Sequence, residues 1–112
     1  MDLWQLKIFC KVVELKSFSR AGKIVNLSQP TVSSHIKDLE DHFGCRLIDR
    51  LSKEAVATKA GELLYGYARK ILASSHKIET AMAEFNGKIK GWLLIGGHTI
   101  PGHIYRPEGS VH

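Results

Sequence analysis

The residues able to do chemistry are thinly spread along this chain. Six histidines stand at positions 35, 42, 76, 98, 103 and 112, none in an H-E-x-x-H pattern and none paired with cysteines at zinc-finger spacing. His35 and His42 are seven residues apart on one predicted helix and can approach a metal together, but no carboxylate completes an obvious site. "GGHT" is glycine-rich yet lacks the lysine and following helix of a phosphate loop, and no serine occupies a G-x-S-x-G turn. Cys10 and Cys45 are too few and too far apart for a disulfide framework; each sits in an apolar run, which predicts a buried, reduced thiol. No catalytic residue, metal or cofactor is expected.

A different chemistry stands in "NLSQPTVSSHIKDLE", Asn26 to Glu40. Ser28 is a good N-cap and Pro30 falls in the first turn, where its missing N–H has no helical partner, so a helix is predicted from Gln29. Val32, Ile36, Leu39 and Phe43 mark one apolar face, and Gly44 ends the element. At 100° per residue, Pro30, Ser33, Ser34, Lys37 and Asp41 lie opposite that face. Short hydroxyls thus stand where long charged side chains are usual. They let the helix approach another surface closely, although a merely solvated, serine-rich helix start explains the stretch equally well.

The neighbouring elements bear on that choice. Leu6, Phe9, Cys10 and Val13, at spacings of three and four, predict a first helix over Leu3 to Leu15, capped by Asp2. Ser19 can cap a second, Arg20 to Val25. After the third helix, short apolar pieces flank a polar tip at Ser52, Lys53 and Glu54, predicting a two-stranded hairpin over Leu47 to Arg50 and Val56 to Thr58. Three short helices, the last two separated by a tight turn, followed by a hairpin, describe a mainly α fold, a winged helix-turn-helix. In that geometry the third helix enters the DNA major groove. Gln29 can pair with adenine, Thr31, Ser33 and Ser34 can reach bases or phosphates, and Lys37 can reach a phosphate one turn on. Arg50, Ser52 and Lys53 form a wing beside the backbone or minor groove, opposed by the repulsion of Glu54. Arg20, at the start of the second helix, is a further phosphate candidate. For any single Lys or Arg here, solubility is the commoner explanation. Sixteen Lys and Arg against eleven Asp and Glu, a formal charge of +5, favour a polyanionic partner only weakly.

Thr58 can cap a long last helix, with Glu62 near its positive end, reaching about Asn86 before "NG" stops it. Along it Leu64, Ala68, Ile71, Ser75, Ile78, Met82, Phe85 and Ile89 follow a four-three alternation, the seam of a coiled coil. A small domain cannot cover such a stripe alone, so a partner helix is expected rather than packing back on the same domain. Beyond Gly87 there is one strand candidate, Trp92 to Ile95, and no second strand or helix is expected after it. Such a tail should be disordered, borrowed by a neighbour, or part of a larger domain. The expected divisions are 1–58, a winged helix-turn-helix; 59–87, a linker and dimerisation helix; and 88–112, the start of a further domain or a disordered tail.

"LKIFCKVVELKSFSRAGKIVNLSQPTVSSHIKDLEDHFGCRLIDR" followed by "TKAGELL" resembles the amino-terminal DNA-binding region of LysR-type transcriptional regulators, over Leu3 to about Asn86. "SFSRAG", "LSQPTVSSHIKDLE" and "TKAG", in order and at the family's spacing, make this specific. The resemblance implies a winged helix-turn-helix, a linker helix paired with its mate, and a larger α/β domain that binds a small-molecule inducer. It also implies dimers of dimers on interrupted dyad sites in full-length regulators. Carried over by position, the base-reading group is Gln29, Pro30, Thr31, Ser33 and Ser34, assisted by His35, with Lys37, Arg50 and Lys53 on the backbone. Gly22 stands where the family usually has alanine, and Ile48 where phenylalanine is common. "KGWLLIGGHTIP" resembles the opening strand of the inducer domain, and the chain ends before that domain can form.

The expected function is therefore sequence-specific binding of double-stranded DNA by a homodimer, as the DNA-binding half of a regulator. The expected protein is not an enzyme. Without a basic segment leading an apolar one, or an apolar run of membrane-spanning length, a soluble cytoplasmic protein with no membrane partner is expected. Its rival is an interaction module in which the seam is the function and the helix-turn-helix a scaffold. A small histidine-metal enzyme is the distant third reading.

Overall fold

Helix α1, Leu3–Leu15, starts where the Asp2 carboxylate accepts the Gln5 N–H at 2.8 Å. The structure, a computed structural model, describes residues 1–90 and the strand residues 92–95 and 98–101. Residues 102–112, with His103, His112 and the closing "RPEGSVH", lie outside the described residues, as do the side chains from Ile89 onward. Leu6, Phe9 and Cys10 turn inward as their spacing predicts, but Ile8 and Val12 are fully buried too, and Val13 is only half-buried. α1 packs on both following helices, so its buried arc is wider than one amphipathic stripe.

Helix α2 runs Phe18–Val25 and so begins earlier than the predicted Arg20. Ser17, not Ser19, caps it, its Oγ accepting the Arg20 N–H at 3.1 Å. This start places Phe18 in the first turn, where its ring packs on the core. α2 ends at Asn26 in the left-handed conformation, and the N–H groups of Asn26 and Leu27 both donate to the Gly22 carbonyl. A Cβ on Gly22 would stand 2.5 Å from the Leu27 carbonyl oxygen, so the turn as it is closed here would have to shift to take an alanine.

Helix α3, Gln29–Phe43, has its expected caps. Ser28 Oγ accepts the Thr31 N–H at 3.3 Å, and Gly44, at φ 69°, donates to the Glu40 carbonyl. Val32, Ile36 and Leu39 are fully buried. The stripe stops there: Phe43 is exposed, its ring edge-on to His42 at 4.8 Å. Cys45 is exposed as well, against expectation, because the chain has just turned outward at the Gly44 cap. Cys10 is buried as expected, and burial, reinforced by the Glu14 carboxylate, pushes its thiol up to about 11.

The wing pairs β1, Ile48–Asp49, with β2, Val56–Ala57, antiparallel, Ile48 opposite Ala57. Both strands are shorter than predicted because the flanking backbone is used otherwise. The Leu47 N–H is taken by a side chain of α3, so the Leu47–Thr58 pair keeps only the Thr58 N–H to Leu47 carbonyl bond, and the Thr58 hydroxyl donates to the Arg46 carbonyl.

Thr58 also caps α4, Lys59–Lys90, its Oγ1 accepting the Gly61 N–H at 3.0 Å. Asn86 and Gly87 do not stop the helix; neither takes the left-handed backbone that would end it. The chain divides into two units, Met1–Leu72 and Ala73–His112. In the first, Ala68 is fully buried, and Leu64, Tyr65 and Leu72 pack on the core. In the second, Ile78, Met82 and Phe85 are all more than half exposed. The second unit also holds β3, Trp92–Ile95, paired antiparallel with β4, His98–Pro101. The expectation that no second strand follows is thus corrected. Gly96-Gly97 between the two runs is a two-residue hairpin signal, and Thr99 and Ile100 are good strand formers.

Two glycines of α4 separate packing from propensity. A Cβ on Gly61 would collide with the Leu47 carbonyl oxygen, whereas one on Gly66 meets nothing within 4 Å. Gly61→Ala should destabilise the chain by about 1–3 kcal/mol through overpacking. Gly66→Ala should stabilise it by up to about 1 kcal/mol through helix propensity. Urea unfolding of both variants at one protein concentration checks the opposite signs.

Candidate nucleic-acid interface

The capped start of α3 decides which groups are free to meet a partner. Gln29, Pro30, Thr31, Ser34 and Lys37 are exposed, while Ser33 and His35 are half-buried. The Thr31 hydroxyl is already engaged, 2.8 Å from Ser28 Oγ, so it fixes the first turn before it can reach outward. His35 is engaged too: its Nδ1 lies 3.1 Å from Nε2 of Gln5 on α1.

Arg50 and Lys53 stand on the wing and Arg20 at the start of α2, all exposed. Arg50 is less free than its sequence position suggests. Its guanidinium donates to Glu40 Oε1 at 2.9 Å and lies 5.6 Å from the centre of the Phe18 ring. Lys37 and Arg50 nevertheless come together, lining with Glu40, Asp41, Cys45 and Arg46 an open cavity of about 490 Å³ at the α3–wing junction. No hydrogen bond or ion pair ties the side chains of Arg20 or Lys53 to this group among the described residues. At the wing tip Leu51 is 99% exposed, beside a turn in which its own N–H donates to Asp49 and the Ser52 hydroxyl donates to the Glu54 carbonyl.

Glu40 is the residue that sequence reasoning missed. Set between Leu39 and Asp41, it reads as part of a solvated face, yet it is only 7% exposed. Its Oε2 accepts the N–H groups of Leu47 at 2.9 Å and Ile48 at 3.3 Å, and its Oε1 accepts from Arg50, with Arg46 at 3.9 Å. Burial pushes the carboxyl up, but the two backbone donors and the Arg50 guanidinium outweigh it and hold the group below its ordinary value of 4.5. Nothing in the local sequence marks Glu40, since all its partners lie on the wing. Among the described residues no three His, Cys, Asp or Glu side chains cluster to hold a metal, and no helix is long and apolar enough to cross a membrane.

Three helices with a glycine-closed turn before the third, followed by a two-stranded hairpin, define a winged helix-turn-helix. Residues 3–62 match the family described as bacterial regulatory helix-turn-helix protein, lysR family. The chain belongs to that family and carries its DNA-binding domain. It is 53% identical over 104 residues to the uncharacterized HTH-type transcriptional regulator YfeR of Shigella flexneri, covering 92% of this chain and 34% of that protein. It is 37% identical over 101 residues to the SDS degradation transcriptional activation protein of a Pseudomonas strain, covering 90% and 33%. A regulator from the ibpB-leuC intergenic region of Azotobacter vinelandii is 39% identical over 107 residues, covering 90% and 74%. The chain thus spans about a third of the length of the first two relatives. Among solved structures, BenM_DBD in complex with benA site 1 DNA superposes with a TM-score of 0.74 at 31% identity, covering 77% of this chain and 97% of that one. Vibrio fischeri DarR in complex with DNA gives 0.72 at 29%, covering 77% and 30%.

A carboxyl whose pKa is depressed by folding stabilises the fold above its unfolded value, and that stability is lost as pH falls through the folded value. The chain should therefore lose stability progressively as pH drops below about 4.5, the ordinary value. Glu40→Gln should flatten this dependence and cost about 2 kcal/mol at neutral pH, since it removes hydrogen bonds to a charged acceptor. Urea midpoints of both proteins across the acid range give the comparison.

Proposed function

We propose that this chain binds double-stranded DNA sequence-specifically as a homodimer, as the DNA-binding half of a LysR-type transcriptional regulator, and acts by binding rather than by catalysis. The observation that carries the reading is the short-side-chain row of α3, with Pro30 and Ser34 exposed opposite the buried Val32, Ile36 and Leu39 and Ser33 half-buried at its edge. A groove admits a helix only where nothing long holds it off, and Pro30, Ser33 and Ser34 satisfy that. Gln29, Thr31, Ser33 and Ser34, assisted by His35, meet base edges in this reading. Lys37, Lys53, Arg20 and the Arg50 donors that Glu40 leaves over meet phosphates, fixing register. BenM_DBD and DarR, both similar in fold and sequence, have been solved in complex with DNA, which supports DNA as the partner here.

Residues 1–58 serve as the reading head and 59–87 as the dimerising linker, with 88–112 opening an effector domain. The seam supports dimerisation: Ile71, Ile78, Met82 and Phe85 leave an apolar row in water that a second copy of the helix would cover, with Ser75 between them. Pairing through it sets the distance between two recognition helices and hence the spacing of half-sites. Assembly of dimers into tetramers belongs to a full-length regulator, and the place of action is the cytoplasm, where the DNA is.

Selection from a random-sequence duplex pool at near-physiological salt tests the function. Enrichment of a two-fold symmetric site supports it, and recovery of unenriched DNA counts against base reading. Against the enriched site, Ser34→Glu should weaken binding by at least about tenfold through repulsion in the groove, with an unchanged circular dichroism spectrum. Lys37→Ala should lower the slope of log affinity against log salt by about 1. Ile78→Glu should shift the free chain from dimer to monomer in sedimentation, and an unaltered dimer would remove the seam from the assembly.

A further inference from the structure

Gln5 lies on α1, outside the helix-turn-helix, yet its side chain reaches two residues of the recognition helix. Nε2 is 3.1 Å from His35 Nδ1 and 3.4 Å from Asp38 Oδ2. These two contacts determine a proton position. An ionised carboxylate only accepts, so Asp38 requires the NH₂ end of the Gln5 amide rather than its oxygen. That same NH₂ end faces His35, and an amide nitrogen only donates, so Nδ1 must accept. A neutral imidazole that accepts at Nδ1 carries its proton on Nε2. Among the described residues, His35 Nε2 has no protein partner. Asp38 thus orients Gln5, and Gln5 orients and polarises His35, leaving one N–H donor on the half-buried ring of the helix that carries the hydroxyl row.

We propose that Gln5 is a positioning residue for DNA reading: through the Asp38–Gln5–His35 relay it fixes His35 as a hydrogen-bond donor at Nε2, matched to an acceptor in the major groove such as guanine N7 or O6 or thymine O4. The inference rests on the DNA-binding reading above. A rotating or tautomerically mixed imidazole would present a donor to one duplex and an acceptor to another, and so could not discriminate. A ring held at Nδ1 has one polarity and one direction. The two helices are joined by a contact across 30 residues of sequence, so α1 contributes to reading without touching DNA itself.

The test pairs a tautomer measurement with a discrimination measurement on the full chain. Nitrogen-15 NMR of the free protein in alkaline buffer should show His35 protonated on Nε2. Gln5→Met, which keeps the side chain's length but not its donor, and Asp38→Asn, which removes the charge that orients the amide, should both give a tautomer mixture with native circular dichroism. Against duplexes drawn from the enriched pool, Gln5→Met should lose about tenfold in discrimination at one base pair of each half-site, while affinity for unrelated DNA stays unchanged. A wild-type His35 protonated on Nδ1 overturns the relay. If the wild-type chain enriches a site and Gln5→Met reads it with unchanged preference, the positioning role is overturned and the DNA-binding reading stands. If the wild-type chain enriches no site, the sequence-specific reading falls and the donor role falls with it, whichever tautomer is found.

Discussion

The Glu40 carboxylate joins the recognition helix to the wing, and much of the domain's geometry follows from keeping it satisfied. A carboxylate this deeply buried costs several kcal/mol unless its lone pairs are met. Here they are met by the Leu47 and Ile48 N–H groups and by Arg50, all from the segment entering the wing. The backbone of the same residue accepts the N–H groups of Gly44 and Cys45, closing the end of α3. One residue therefore ends the helix and fixes where the hairpin leaves it. A wing of two-residue strands has too few ladder bonds to hold its own direction, so this external clamp is needed. The clamp continues through Leu47, whose carbonyl accepts the Thr58 N–H and forms the surface that Gly61 must clear, so the start of α4 is set by the same short segment.

The other end of α3 is fixed by different means to a similar end. Ser28 holds both the N–H and the hydroxyl of Thr31, and Pro30 fixes one backbone angle of the first turn. Side chains projecting from this turn meet a partner without first losing backbone freedom, which is where preorganisation gains affinity. Rigidity has a cost in repertoire: the Thr31 hydroxyl is partly committed to the cap, whereas Gln29, Ser33, Ser34 and Lys37 make no side-chain hydrogen bond among the described residues.

Features set by neighbours in sequence were legible, and those set by partners far along the chain were not. The bounds of α3 followed from Ser28, Pro30 and Gly44, and the four-three seam from the residues of α4 themselves. The start of α2 did not, because Ser17 and Ser19 offer the same capping chemistry and only the packing of Phe18 on the core separates them. Gly22 stood out in the sequence as a glycine where the family usually has alanine, and its constraint, the Leu27 carbonyl, appears only once the turn is closed. Glu40, Gln5 and the tied guanidinium of Arg50 were invisible for one reason. Each is a polar residue whose burial or orientation depends on a partner in another element, and such a residue looks locally like any solvated one.

On the proposed reading, the seam on α4 is one apolar stripe that serves two ends. Ala68 is fully buried and Leu64 packs against the core of the first unit, so the opening positions of the repeat attach the helix to its own domain. Ile78, Met82 and Phe85 continue the same alternation with no cover from the described residues. A helix that served only its own domain would have no physical reason to stay apolar at these positions, since each exposed apolar side chain raises the risk of aggregation without adding to the core. The persistence of the repeat past the last core contact is what the proposed pairing of two helices rests on. The early positions use small or half-buried groups that fit against a domain, and the later ones use large side chains suited to facing another copy of themselves.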